Sequence, residues 1–68
     1  MRTTFSEKLQ QLRIESNLKQ ADLAKILNTT QRRISYFETG KVEPDLYTLC
    51  EIAKFFEVST DYLLGLED

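Results

Sequence analysis

With 68 residues, 41% of them hydrophobic and 29% charged, the chain makes one domain with enough apolar surface for a small core, and it is not a disordered segment. Its single cysteine, Cys50, excludes an internal disulfide framework and fits a reduced, cytoplasmic setting. The absence of histidine removes the commonest general base and metal ligand, while no apolar run approaches the roughly 18 residues of a membrane span and no apolar stretch follows the N-terminal charges as a secretory signal requires.

The net charge of −2 is unevenly spread. Residues 1–18 sum to +1, from Arg2, Lys8 and Arg13 against Glu7 and Glu15. Residues 19–41 sum to +3, from Lys19, Lys25, Arg32, Arg33 and Lys41 against Asp22 and Glu38. The remainder sums to −6, with Lys54 alone against seven acids. One end of the molecule suits phosphates and the other is repelled by them.

Helical periodicity runs almost throughout, with two glycines, one proline and no β-branched alternation, which predicts an all-α domain of five short helices spanning residues 1–68. The first is predicted to start at Thr4, where Thr4-Phe5-Ser6-Glu7 fits a capping box, and to bury Phe5, Leu9 and Leu12. It should end near Ser16-Asn17, with Leu18 plugging the connection into the core. The second is expected over Gln20 to Leu27 with Leu23, Ala24 and Leu27 inward, followed by Asn28 as a left-handed turn residue. Thr30 is a good N-cap for a third helix, Gln31 to about Glu38, that closes at Gly40. Asp45 is expected to cap a fourth, burying Leu49, Ile52, Ala53 and Phe56, and Ser59 a fifth that ends at Gly65. Tyr47, Cys50 and Phe55 fall off the fourth helix's stripe. They are read as covering the edge of the core, with a dimer interface as the alternative.

The chemistry concentrates between Gln20 and Gly40. The third helix turns Ile34 and Phe37 inward, leaving Gln31, Arg32, Ser35 and Tyr36 outward. Glutamine bridges N6 and N7 of adenine, arginine bridges O6 and N7 of guanine, and a tyrosine ring can lie against a thymine methyl or a sugar. Arg33 flanks that face and suits a phosphate better than a base. Thr30 at one end of the helix, and Thr39, Gly40 and Lys41 at the other, offer hydroxyls, free N–H groups and an ammonium to phosphate oxygens.

The order and spacing of several short pieces resemble the lambda-repressor-like, Xre-type helix-turn-helix family of bacterial and phage DNA-binding domains. These are Leu9-Gln10-Gln11-Leu12-Arg13, Leu18-Lys19-Gln20-Ala21-Asp22-Leu23-Ala24, Ile34-Ser35-Tyr36-Phe37-Glu38-Thr39-Gly40-Lys41, Pro44, Leu49-Cys50-Glu51-Ile52-Ala53 and Val58-Ser59-Thr60-Asp61-Tyr62-Leu63-Leu64. The resemblance implies a helix-turn-helix formed by helices two and three, with Gln31 to Glu38 as the recognition helix in the major groove. By the same resemblance Gln20 contacts a phosphate and braces that helix, and Arg13 pairs with Glu38. It further implies a homodimer on a two-fold-related operator in double-stranded DNA, joined near Thr60, Tyr62 and Leu66 and by Cys50. The chain departs from the family at Lys19, where Ser or Thr commonly caps the second helix, and at Asn28 and Glu57, where glycine is common. Lys19 instead adds a cation to the phosphate path.

These readings point to a DNA-binding transcriptional regulator, of the repressor kind commonest in this family, that needs no metal, cofactor or small-molecule ligand. An alternative is a protein-interaction module, such as an antitoxin-type regulator using the acidic C-terminal third. Catalysis is disfavoured: Cys50 has no partner for a triad or metal site, and no glycine-rich phosphate loop is present.

Overall fold

Five helices run in chain order in the computed structural model, which describes residues 3–67; the charges of Arg2 and Asp68 lie outside the described residues. They are α1 (Phe5–Glu15), α2 (Gln20–Ile26), α3 (Gln31–Thr39), α4 (Leu46–Phe56) and α5 (Thr60–Leu64), and the described residues contain no strand.

Each helix is too short to persist alone in water, so the shared core must hold them. Leu9, Leu23, Ile34, Phe37, Ile52 and Leu63 are fully buried, one or two from each helix. Burying one such side chain contributes about 1.5–3 kcal/mol. Helix α3 packs against both α1 and α2, while α5 packs against α1 and α4. The rings of Phe5 and Phe37 meet edge to face with centroids 6.0 Å apart, joining the start of α1 to the end of α3. Leu12, Leu18, Leu27 and Phe56 are half-buried against this core.

Local chemistry sets where the helices begin and stop. Thr30 Oγ1 accepts the Arg33 N–H at 3.2 Å, Asp45 Oδ1 the Thr48 N–H at 3.0 Å, and Ser59 Oγ the Tyr62 N–H at 2.9 Å. Asn17 and Asn28 both adopt positive φ after α1 and α2, as short amide side chains allow. At the end of α3 the Lys41 N–H bonds the Tyr36 carbonyl at 3.0 Å and the Gly40 N–H the Phe37 carbonyl at 3.4 Å, a Schellman motif that needs the positive φ of Gly40.

The structure departs from the sequence reading at Thr4 and at Tyr47, Cys50 and Phe55. The capping box at Thr4 does not form. The Thr4 hydroxyl instead donates to the Leu63 carbonyl at 3.2 Å, and a longer-range partner at the end of α5 replaces the local one. That approach is close enough that a Cβ on Gly65 would stand 2.9 Å from the Thr4 side chain. Tyr47 and Cys50 do not cover the core's edge: Tyr47 is 73% exposed and Cys50 is exposed, because the α4 stripe of Leu49, Ile52 and Ala53 turns them to solvent. Phe55 is exposed more than a third, its ring edge-on to Phe56. At α2, Lys19 supplies no cap, since an ammonium has no acceptor, but half of a capping box survives: Asp22 Oδ2 accepts the Lys19 N–H at 2.9 Å. Glu57 is left-handed at φ 57°, ψ 44°, a conformation costing a non-glycine residue about 1–2 kcal/mol.

Candidate nucleic-acid interface

The outer face of α3 is a polar helix surface in the positive part of the chain. Its inner face is fixed by Ile34 and Phe37, with Glu38 buried beside them. On a 3.6-residue period those anchors turn Gln31 and Arg32 to solvent, and both are exposed. Ser35 and Tyr36 follow one turn on and are half-buried. The four outward side chains therefore share one face, opposite the helix's attachment.

Glu38 is the pivot of that attachment. Its carboxylate is clamped by Arg13 through Nε at 2.6 Å and Nη2 at 3.1 Å, and accepts Gln20 Nε2 at 3.1 Å. Arg13 Nη1 also donates to the Leu18 carbonyl at 2.9 Å. The pair is nearly withdrawn from water, with side chains 13% and 2% exposed. One carboxylate thus ties α1, the connection after it and α2 to the last turn of α3. The forked guanidinium matches the carboxylate geometry, and no buried side-chain polar atom among the described residues lacks a partner. Gln20 is the link from α2, its amide turned to Glu38.

The cations assigned to phosphates lie around α3 in different settings. Lys19 is exposed at the head of α2. The Lys41 ammonium stands 5.5 Å from the centroid of the Tyr36 ring, brought there by the chain reversal at Gly40. Arg33 is not wholly free: its guanidinium carbon lies 5.1 Å from the Phe37 ring centroid and its Nη2 lies 3.9 Å from Asp45 Oδ1. Sequence reasoning missed this pair because 12 positions separate the two residues and only the course of the chain between α3 and α4 brings them together. Hydrogen bonds from the Thr48 side chain and backbone, with the charge of Arg33, hold the Asp45 carboxyl below its ordinary range. The Thr30 hydroxyl is occupied as the cap of α3, while that of Thr39 turns back to the Tyr36 carbonyl at 3.4 Å.

The residues read as a dimer interface differ in exposure. Leu66 is 59% exposed beyond α5 and Cys50 is exposed on α4. Thr60 and Tyr62 are half-buried, the ring of Tyr62 lying 4.4 Å under the Lys8 ammonium of α1. No helix among the described residues is long and apolar enough to cross a membrane.

Comparison with known proteins meets this geometry. The chain is 47% identical over 64 residues to the HTH-type transcriptional activator BcrR of Enterococcus faecalis, covering 94% of this chain and 31% of that protein. The chain spans about a third to somewhat over half the length of the first curated relatives it matches. The fold superposes with a TM-score of 0.86 on the P22 c2 repressor solved in complex with a synthetic operator, at 28% identity over 93% of this chain and 96% of that one. It also superposes with a TM-score of 0.81 on part of the hydroxypropylphosphonic acid epoxidase of S. wedmorenis, at 30% identity, covering 91% of this chain but 33% of the enzyme. The model of the Helix-turn-helix family matches residues 9–63, from the middle of α1 to α5, and includes every residue of the Glu38 clamp and of the outer face of α3. The chain belongs to the lambda-repressor-like helix-turn-helix family of DNA-binding domains.

Proposed function

We propose that the chain is the operator-binding domain of a transcriptional regulator and that α3 is its reading head, entering the major groove of double-stranded DNA. The observation that carries this reading is the split of α3 into an anchored inner face and an outer face of Gln31, Arg32, Ser35 and Tyr36. Base reading falls to Gln31, Arg32 and Tyr36, with Ser35 between them, since their donors and acceptors match base edges. Docking falls to Lys19, Arg33 and Lys41, to Gln20 at the head of α2, and to Thr30, Thr39 and Gly40 at the two ends of α3. The likeness to a repressor solved on its operator supports this placement.

The unit on DNA is a homodimer, one chain per half-site, through the Thr60, Tyr62, Leu66 and Cys50 neighbourhood. Repression is the expected outcome where such a site overlaps a promoter. The sign depends on where the site lies, and BcrR, whose name marks it as an activator, is similar in this domain. No catalytic role is assigned to these residues: the epoxidase likeness covers a third of that enzyme. The setting is the cytoplasm, where the DNA lies and where Cys50 stays reduced.

Selection of duplexes from a random library at a stated salt concentration tests the reading. The expected product is a two-fold-related site with half-site centres about 34–36 Å apart. A pool that stays unenriched after repeated rounds overturns it.

A further inference from the structure

The contact between Arg33 on α3 and Asp45 at the head of α4 plays no part in the docking and reading scheme above. Two features hold the guanidinium in place, the Phe37 ring 5.1 Å beneath its carbon and the Asp45 carboxylate 3.9 Å from Nη2. The carboxylate is itself held, because Oδ1 also accepts the Thr48 N–H at 3.0 Å as the cap of α4. A side chain tied to the first turn of α4 is held beside Arg33 in the free protein. Asp45 is therefore a standing competitor of phosphate for Arg33.

Arg33 and Asp45 are 42% and 64% exposed at the side chain, so their pairing is weak, equivalent to at most roughly fivefold in an equilibrium. A phosphate fixed beside Arg33 by a fully docked α3 displaces such a partner. A loose encounter on an unmatched duplex fixes no phosphate there, and the guanidinium stays shared. Nonspecific affinity comes almost wholly from the release of counterions by phosphate-bound cations, so withholding one cation weighs most on it.

We propose that Asp45 is a specificity-determining residue of the DNA-binding surface. By engaging Arg33 in the free protein it withholds one cation from unmatched duplexes and widens the gap between matched and unmatched sequences. This deepens the proposed function and rests on its reading of Arg33 as a phosphate contact.

The test uses the duplex recovered by selection and a scrambled duplex of the same composition. Binding is titrated by fluorescence anisotropy over a salt series. Asp45→Asn removes the charge and keeps a capping side chain of equal quality, and Asp45→Ser repeats the change with another good cap. Both variants are expected to bind the scrambled duplex roughly two- to fivefold more tightly and the selected duplex with a smaller gain. The salt slope on the scrambled duplex should steepen by up to about 0.9. In an Arg33→Gln background the gain should vanish, and Glu43→Gln, which removes the same charge two positions away, should not reproduce it. A gain that persists without Arg33, or no gain on the scrambled duplex, overturns the inference alone when Arg33→Gln by itself weakens binding. If Arg33→Gln by itself leaves both duplexes bound as before, the reading of Arg33 falls as well.

Discussion

At the scale of single residues, the ion pair of Arg13 and Glu38 and the outer side chains of α3 carry separable tasks. Removing one partner of a buried pair leaves a charge out of water and costs about 3–5 kcal/mol. Arg13→Ala should therefore lower the melting temperature well beyond Lys8→Ala, whose ammonium only lies over the face of the Tyr62 ring, a contact worth about 0.5–1 kcal/mol. Equal melting temperatures would remove the structural role of Arg13. On the proposed function the split on DNA runs between Arg32 and Lys41. Arg32→Ala should cost about 1–3 kcal/mol on the matched site and relax preference at one base pair. Lys41→Ala should weaken all sequences about equally and lower the salt slope by about 1. Matched and scrambled duplexes titrated with both variants decide this, and identical behaviour of the two variants contradicts the division.

At the scale of the helix, the head of α2 shows stability and binding in opposition. Lys19 occupies an N-cap position with no acceptor to offer. Lys19→Ser should add a cap worth about 1 kcal/mol and raise the melting temperature by about 4–8 °C. The same change removes a cation from the proposed phosphate path and should weaken binding to every duplex. A variant that gains stability without losing affinity places Lys19 away from the DNA. Features of this kind were legible in the sequence wherever a residue acts on its own helix. Thr30, Asp45 and Ser59 each cap the N–H three positions on, and Asn17, Asn28 and Gly40 each close the helix before them. The reading went wrong at Thr4 for the opposite reason, since the Leu63 carbonyl at the far end of the chain claims its hydroxyl. The pairing of Arg33 with Asp45 was hidden in the same way, because neither residue's neighbours in sequence hint at the other.

At the scale of the whole molecule, charge sorts the surface. The positive part of the chain contains α2 and α3, while the acidic residues crowd α4, α5 and their connections. On the proposed function a duplex approaching the acidic segments should be repelled within about 10 Å at moderate salt, which would orient the encounter before any base is read. On the proposed function one such domain covers half of a two-fold site, so the selected duplex should carry two chains. Sedimentation of the complex at saturation measures this, and one chain per duplex would rule out the dimer. The fold itself was readable from periodicity and caps, because five amphipathic stripes converge on one core. The proposed dimer neighbourhood was less so: Cys50 and Leu66 stand exposed, but Tyr62 is engaged within its own chain, and nothing local to α5 reports that engagement.

The Glu38 clamp has a consequence for how such a domain changes its target. The three ties to Glu38 use none of Gln31, Arg32, Ser35 and Tyr36. If these ties seat the helix, it is an interchangeable cartridge held by contacts that spare its outer side chains. Exchanging those four side chains for others of similar helix propensity should leave the melting temperature within a few degrees while selection recovers a different site. A swap that unfolds the domain would show that the reading face and the socket are one mechanical unit.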